Sequence, residues 1–260
     1  MTTNGHDPVA AALAGLAARP PKDLVGVLFT SWARVAGPVG DVYVAFSAAG
    51  VSYLRTADSV DGDEGFKAAF RAAFDRRPLR RADGLPAGLL PALRTRGSSR
   101  GLRLDLRGLT DFEADVLNAT RRIPAGQTRP YAWVAREIGR PRAVRAVGTA
   151  LGHNPVPLLI PCHRVVRADG RLGDYVFGGA LKERLLRAEN VNLDEVHELA
   201  RTKVFFIGSD TTGIVCFPTC AHARRITTPH RRGFRTLAEA DAAGYRPCRH
   251  CRPAALDRIA

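Results

Sequence analysis

The sequence lacks any long apolar run, and both cysteine and lysine are scarce in it. No stretch approaches the ~18 consecutive apolar residues that a membrane-spanning helix needs, so we expect no membrane association. No basic segment precedes the alanine-rich stretch near the start of the sequence, although a secretory signal peptide would begin with one. A cytoplasmic protein is therefore predicted.

Only five of the 260 residues are cysteine, and an odd number does not fit a disulfide framework. Four of them form two close pairs, Cys216-x3-Cys220 and Cys248-x2-Cys251, with 27 residues between the pairs. Four soft sulfur ligands at this spacing are typical of a tetrahedral structural zinc site. The pattern predicts one bound Zn²⁺. We expect its removal to unfold residues 200–260 and to spare the chemistry of the fifth cysteine.

The net charge is +14, from 39 Lys and Arg against 25 Asp and Glu. A strongly basic chain favours a polyanionic partner, which is usually nucleic acid. Only four of the basic residues are lysine, and an arginine-rich composition alone would also produce such an excess. The charge therefore leaves both explanations open, although the excess per residue is largest in residues 200–260.

The chain is long enough for more than one buried core. Its patterns predict a four-part α+β protein, whose parts are a tail (1–24), an α/β unit (25–106), a helical unit (107–198) and a small four-cysteine zinc domain (199–260). Alternating apolar residues predict strands at residues 40–46, 51–54 and 102–106, and phenylalanines at helical spacing predict an amphipathic helix over 66–74. Thr110 and Glu113 are spaced as a capping box that starts the helical unit.

Two short helices are predicted over residues 131–138 and 142–151, joined by Gly-Arg-Pro, which makes a helix-turn-helix. Small side chains on the second helix would allow it to approach a groove of nucleic acid closely. Arg142 and Arg145 would then meet phosphates or bases. Small residues equally suit plain packing between helices, so this pattern alone does not decide between the two.

Residues 154–166 read NPVPLLIPCHRVV and contain the fifth cysteine, Cys162. The prolines exclude a regular helix, so we predict a short, buried, extended segment that carries Cys162 rigidly into a cleft. A cysteine reacts as the thiolate, and His163, Arg164 or a helix N-terminus nearby would lower its pKa. An inert buried cysteine is the alternative.

This string strongly resembles the active-site signature of the O6-alkylguanine-DNA alkyltransferases, which move an alkyl group irreversibly from guanine onto the cysteine. The resemblance implies that the partner is duplex DNA with alkylated bases, and that the damaged base is flipped out of the duplex. It also implies that the protein is a monomer and that each molecule acts once. It implies a ribonuclease-H-like fold for residues 25–106, and it leaves O4-alkylthymine open as a second substrate. A Cys-His hydrolase is the competing enzyme class, but nothing beyond the Cys-His pair supports it.

The same resemblance assigns individual roles. Cys162 is the nucleophile, His163 takes the thiol proton through a water, and Glu189 orients His163. Asn154 braces the turn around the cysteine, and the hydroxyl of Tyr131 reaches the base. The DNA-contacting residues are expected to be Arg145, which fills the gap left by the flipped nucleotide, with Arg142, Ala143 and Arg164. The substrate pocket is expected to comprise Tyr175, Val176, Val165 and Pro157.

One position departs from the family pattern. Relatives commonly carry a small residue and two glycines after the tyrosine, whereas this chain reads Val176-Phe177-Gly178-Gly179. Val176 cannot donate a hydrogen bond to the base oxygen, which affects the range of substrates rather than the reaction class.

The strings TTGIVCFPTC and AGYRPCRHCRP resemble the zinc-binding, methylphosphotriester-accepting domain of the bacterial adaptive-response proteins. The resemblance implies that Cys216 accepts a methyl group in addition to binding zinc. Ala223 stands where the family usually has an arginine, with Arg224 one position late. A zinc-containing DNA-binding sensor or regulator, without alkyl transfer at this second site, is the alternative.

Overall fold

A computed structural model describes residues 29–74, 78–95 and 101–253 of the chain. The predicted tail, residues 1–24, lies outside these residues. None of the helices in the described ranges is long and apolar enough to cross a membrane.

The first part of the chain forms a four-stranded sheet with the strand order β3-β2-β1-β4. Its elements are β1 (Thr30–Gly37), β2 (Gly40–Ser47), β3 (Gly50–Thr56), α1 (Gly62–Ala73), β4 (Leu79–Arg81) and α2 (Leu89–Arg94). Strands β1, β2 and β3 are antiparallel neighbours, and β4 pairs with β1 in parallel.

Strand β2 buries side chains on both faces of this sheet. Val42 and Val44 belong to the main apolar core, whereas Tyr43 packs against Phe66 of α1 with ring centroids 5.1 Å apart. The predicted strands near residues 40–46 and 51–54 and the amphipathic helix are confirmed. Strand β1 was not predicted.

The strand predicted over residues 102–106 is reduced to a single bridge between Val51 and Leu104. The chain turns away because Asp105 accepts hydrogen bonds from the backbone N–H and the guanidinium of Arg107. Pairing with β3 therefore ends after one residue pair.

The helical part of the chain follows. Its elements are α3 (Asp111–Arg121), β5 (Arg129–Pro130), α4 (Tyr131–Glu137), α5 (Val144–Gly152), β6 (Val165–Val166), α6 (Gly179–Ala188) and α7 (Leu193–Arg201). The capping box of Thr110 and Glu113 is confirmed at the start of α3. The second helix of the helix-turn-helix begins at Val144, because Ala143 N–H donates to the carbonyl of Arg140 and closes a turn there.

The C-terminal part contains a second four-stranded sheet with the order β10-β8-β7-β9. Its elements are β7 (Phe206–Ser209), β8 (Ile214–Cys216), β9 (Arg231–Phe234), α8 (Leu237–Ala242) and β10 (Arg246–Pro247). A Cβ at Gly208 would come within 2.7 Å of the rings of Tyr245 and Phe234, so only glycine fits there. One cluster of buried apolar side chains continues from the first sheet through the helices into this second sheet.

Candidate functional site

Cys162 begins a short 3₁₀ helix, Cys162–Arg164, directly after a tight turn. The Ile160 N–H donates to the carbonyl of Val156 at 3.0 Å, and Leu158 adopts a left-handed φ of 72°. The prediction of an extended segment before Cys162 was therefore wrong. The apolar run is long enough to fold back on itself and bury its side chains within one turn.

Asn154 holds this turn together from inside. Its Nδ2 donates to the carbonyl of Ile160 and to Cys162 Sγ, both at 3.1 Å, and its Oδ1 accepts from Val156 N–H at 3.0 Å. The Asn154 side chain is fully buried. One amide group therefore fixes both the turn and the position of the sulfur.

The electrostatic surroundings of Cys162 act in opposite directions. Burial raises the pKa of the thiol, whereas the Asn154 hydrogen bond and the positive charge of Lys182 lower it. Lys182 is itself buried, and its Nζ donates to the carbonyls of Val165 (2.6 Å) and Asp174 (3.2 Å). Burial lowers the pKa of Lys182 to about 8.

No role was predicted for Lys182 from the sequence. A signal was available, because Lys182, Leu185, Leu186 and Glu189 recur at the spacing of one helix face. A lysine on an apolar face is a buried cation and needs acceptors or a counter-charge.

Glu189 lies directly after α6 at the centre of a buried network of polar groups. Its Oε1 is 2.9 Å from His163 Nε2 and 2.8 Å from Arg164 Nη2, and its Oε2 accepts from Gly126 N–H at 3.0 Å. Burial opposes ionisation, but the hydrogen bonds from His163 and Arg164 lower the Glu189 pKa to about 2. Glu189 is therefore a carboxylate at neutral pH.

The network also fixes the tautomer of His163. Because an ionised carboxylate only accepts hydrogen bonds, Nε2 must carry the proton and Nδ1 the lone pair. Nδ1 is buried and has no hydrogen-bond partner within the described ranges. Burial lowers the pKa of His163, with Glu189 acting in the opposite direction, so the ring is neutral and its free nitrogen is a base.

The structure does not place Arg164 at the DNA-contacting surface where we predicted it. Its side chain is buried, its Nε donates to Glu189 Oε2 at 3.0 Å, and its Nη1 donates to the carbonyl of Ile123 at 2.7 Å. Pairing with Glu189 compensates the cost of burying the cation. The cation that lowers the pKa of Cys162 is accordingly Lys182 and not Arg164.

Glu189→Gln should destabilise the protein by about 3–5 kcal/mol at pH 7, because it leaves the buried Arg164 cation unpaired. The folded-state pKa of about 2 lies below the ordinary 4.5, so the carboxylate's contribution is fully present above pH 4.5. It is lost as the pH falls from 4.5 towards 2. The difference in free energy of unfolding between wild type and variant, measured by urea unfolding, should therefore become smaller as the pH falls through this range.

Glu183→Gln is the matched control for this prediction. Glu183 lies on the same helix α6, but its ion pair with Arg187 is exposed to solvent, so the loss should stay below about 1 kcal/mol. If the difference in free energy of unfolding between wild type and Glu189→Gln did not change between pH 5 and pH 2, this result would contradict the assignment of the charge to Glu189.

Tyr131 and the residues expected to line the substrate pocket differ in their burial. Tyr131 is half-buried at the start of α4, and burial raises the pKa of its hydroxyl. Tyr175 contacts the His163 ring edge-on with centroids 6.1 Å apart, and its buried hydroxyl has no hydrogen-bond partner in the described residues. Val165 and Pro157 are buried, whereas Val176 is 37% exposed.

The helix-turn-helix arginines face solvent. Arg142 lies in the turn and Arg145 in the first turn of α5, and both are exposed, while Ala143 is half-buried. The small residues on α5 also serve packing, since a Cβ at Gly148 would contact the Tyr131 ring at 3.9 Å.

The four remaining cysteines come together in the C-terminal part. Their sulfur atoms all lie within 4.8 Å of one another, and all four residues are buried and free of disulfides. Tetrahedral zinc with bonds of about 2.3 Å needs sulfurs about 3.8 Å apart, so the cluster fits this metal. Cys216, Cys220, Cys248 and Cys251 are thus the residues that would hold Zn²⁺.

Cys216 also lines a cavity of about 310 Å³. Its polar lining includes basic and hydroxyl side chains, namely His222, Arg225, His230, Thr211 and Thr212. This composition suits an anionic ligand.

Two family models match the chain. One, for the DNA binding domain of 6-O-methylguanine DNA methyltransferase, matches residues 111–191. The other, for the metal binding domain of Ada, matches residues 197–254. Together they cover the helical part and the four-cysteine cluster.

Similar proteins agree with these matches. The chain is 43% identical over 120 residues to the bifunctional transcriptional activator/DNA repair enzyme Ada of Escherichia coli, covering 43% of this chain and 34% of that protein. It is 50% identical over 84 residues to the methylated-DNA–protein-cysteine methyltransferase of Methanosarcina barkeri, covering 32% and 53%. The chain therefore spans only about a third to a half of these curated relatives.

Among solved structures, Mycobacterium tuberculosis OGT in complex with DNA is similar with a TM-score of 0.51 and 32% identity. The similarity covers 64% of this chain and 98% of that chain.

Proposed function

Because the chain belongs to the O6-alkylguanine-DNA alkyltransferase family and carries an Ada-like zinc domain, we propose that it repairs alkylated guanine in duplex DNA. The alkyl group is transferred to Cys162. The observation that carries this proposal is the buried sulfur of Cys162, held by Asn154 beside the cation of Lys182. An inert core cysteine would need neither a dedicated amide donor nor a buried lysine.

The proposed reaction is a displacement at carbon. His163 Nδ1 takes the thiol proton through a water, and the Cys162 thiolate forms a bond to the alkyl carbon. The bond between that carbon and guanine O6 breaks, and its electron pair stays with the base. Tyr131 stabilises the developing charge, and the base leaves as ordinary guanine after it takes up a proton. Glu189 stabilises the His163 cation.

Two consequences follow from this chemistry. A base inside duplex DNA cannot reach a buried sulfur, so the damaged nucleotide must be flipped out. The thioether product has no leaving group, so each molecule reacts once. All proposed groups lie in one chain, so we infer that a monomer is sufficient. Because the similar proteins are DNA repair proteins, we also infer a cytoplasmic location.

We also infer three domains, 25–106, 107–198 and 199–260, of which the first is ribonuclease-H-like. Three antiparallel strands followed by a helix and a strand parallel to β1 support this inference.

The proposal is tested by incubating the protein with duplex DNA that contains O6-methylguanine and measuring its intact mass. We expect one added methyl group per molecule, and peptide mapping should place it on Cys162. A hydrolase would instead turn over a labelled ester without gaining mass. A DNA-binding regulator would bind the duplex and remain unmodified. Either of these results would overturn the proposal.

Arg145→Ala should reduce repair in duplex DNA tenfold or more, while reaction with free O6-benzylguanine stays within about twofold. Holding a nucleotide out of the stack costs a few kcal/mol, and only the duplex substrate requires it. Arg142→Ala is the matched control, because it removes the same charge from an exposed position three residues earlier, in the turn. It should weaken DNA binding, so that duplex repair returns to near the wild-type rate at saturating DNA, whereas Arg145→Ala stays impaired there. Equal losses on both substrates in Arg145→Ala would place Arg145 in chemistry or folding.

A second function is favoured by the cavity beside Cys216. We propose that this cysteine accepts a methyl group from a methylphosphotriester in the DNA backbone. The sulfur would bond to the methyl carbon while the carbon–oxygen bond breaks and leaves a phosphodiester anion. Bound zinc would keep the thiol deprotonated at neutral pH, and Arg225 and the histidines of the cavity suit the phosphate.

DNA whose sole lesion is a methylphosphotriester tests this second function. A methyl mass on the Cys216 peptide is expected. No modification, with zinc bound and Cys162 still reactive, would make the C-terminal part a DNA-holding or stabilising module.

A further inference from the structure

Arg129 is among the largest side chains that are almost completely buried in the described part of the chain, at 2% exposure. It lies between two aromatic rings, with its guanidinium carbon 5.7 Å from the ring centroid of Trp133 and 5.5 Å from that of Phe217. Trp133 belongs to α4 in the helical part, and Phe217 directly follows the metal-site residue Cys216. Arg129 therefore sits where the helical part meets the C-terminal part.

The hydrogen bonds of Arg129 do not compensate its charge. Nη1 donates to the carbonyl of Thr128 at 2.8 Å and Nη2 donates to Gln127 Oε1 at 2.7 Å, and both acceptors are neutral. In the described part of the chain Nε has no hydrogen-bond partner, and no carboxylate forms an ion pair with this guanidinium. Burying an uncompensated cation costs several kcal/mol, so negative charge must come from elsewhere.

The four cysteines are the source of that charge. Burial lowers the pKa of Arg129, whereas Cys251, Cys220, Cys248 and Cys216 all act to raise it. Zinc with four thiolates carries a net charge of 2 − 4 = −2, because each ligand is deprotonated. Opposite charges that share a water-excluded space attract far more strongly than they would in solvent.

Neighbouring contacts keep the guanidinium in this place. Thr128 N–H donates to Thr219 Oγ1 at 2.9 Å, and Trp133 Nε1 donates to the carbonyl of the ligand Cys251 at 3.0 Å. These bonds hold the backbone on both sides of Arg129 against the metal-site part of the chain.

We infer that Arg129 is the internal counter-cation of the four-cysteine zinc site. The helical part of the chain thus completes a metal centre whose ligands all lie in the C-terminal part. The strand that carries Arg129, β5, pairs with β6 directly after the 3₁₀ helix of Cys162. The pairing of these two short strands therefore connects the metal site with the Cys162 site.

The test measures the rate at which zinc leaves the full-length protein for an excess of a coloured chelator, without any alkylated DNA. The variants are Arg129→Lys, which keeps the charge, and Arg129→Gln and Arg129→Met, which remove it. We expect release to be about 10- to 100-fold faster in the two neutral variants, the range seen when groups that support metal ligands are lost. Arg129→Lys should stay within about threefold of the wild type.

Arg252→Met is the matched control. Arg252 lies 5.9 Å from the same Trp133 ring and pairs with Glu137 across the same contact, but its side chain is 52% exposed. Its loss should change the release rate less than threefold, because the Arg252 head is half in solvent and Glu137 keeps Arg122 as a second cationic partner. If Arg129→Met does not fold, the comparison of lysine with glutamine still isolates the charge.

Equal release rates for Arg129→Lys and Arg129→Gln would overturn the inference, and so would wild-type release from the neutral variants. Because zinc release requires no reaction with DNA, failure here is distinguishable from failure of the proposed alkyl transfer.

Discussion

Replacing Cys162 with serine should abolish alkyl transfer from O6-methylguanine to the protein, leaving no mass change after prolonged incubation. The oxygen of serine is a harder and far less acidic nucleophile than sulfur, and burial lowers the pKa of His163, which makes it a weaker base for this less acidic group. DNA affinity should remain, because the substitution changes one buried atom and leaves the exposed Arg142 and Arg145 of the helix-turn-helix untouched.

Two measurements accompany this experiment. Binding to duplex DNA with and without the lesion checks that the variant still recognises its substrate. Thermal unfolding checks that the Asn154 turn is intact, since the serine hydroxyl can still accept the Asn154 hydrogen bond. Full methyl acceptance by Cys162→Ser would mean that another residue is the acceptor.

Withdrawal of zinc should have the second large effect. Structural zinc binding contributes about 10–16 kcal/mol to the folding of small zinc domains, which is as large as the whole free energy of unfolding of a typical domain, about 5–15 kcal/mol. We expect chelation to unfold residues 206–251, and limited proteolysis should reveal the loss of protection there.

The sequence alone predicted that such unfolding would spare Cys162, and the tertiary structure leads to a different expectation. Thr128 and Trp133 of the helical part donate hydrogen bonds to Thr219 and Cys251 of the C-terminal part. The helical part and the C-terminal part also share one apolar core. Loss of the C-terminal part would expose this surface and leave Arg129 without its counter-charge. Reactivity of Cys162 should therefore fall together with the metal content.

Adding zinc back should restore both protection from proteolysis and Cys162 reactivity, which distinguishes metal loss from irreversible damage. Cys251→Ser provides the matching variant, since it removes one ligand without a chelator. Undiminished Cys162 reactivity in metal-free protein would show that the contact between the two parts does not support the active site.

Features encoded within a few neighbouring residues were predictable from the sequence. The capping box of Thr110 and Glu113 depends on groups three residues apart, and the strand near residues 40–46 depends on an alternation with a period of two. The four-cysteine cluster was likewise predictable, because two close pairs of cysteines are typical of a zinc site. Such patterns need no knowledge of the partner surface.

Pairings between distant buried polar groups were decided by the tertiary structure alone. Arg164 meets Glu189 across 25 residues, and Thr128 meets Thr219 across 91. From the sequence, Arg164 was expected to contact DNA, and Arg129 had no expected role. An arginine is surface-exposed by default, because burying its charge is costly. Whether a buried group of opposite charge is available depends on which distant segments the fold brings together, and no local sequence pattern predicts this.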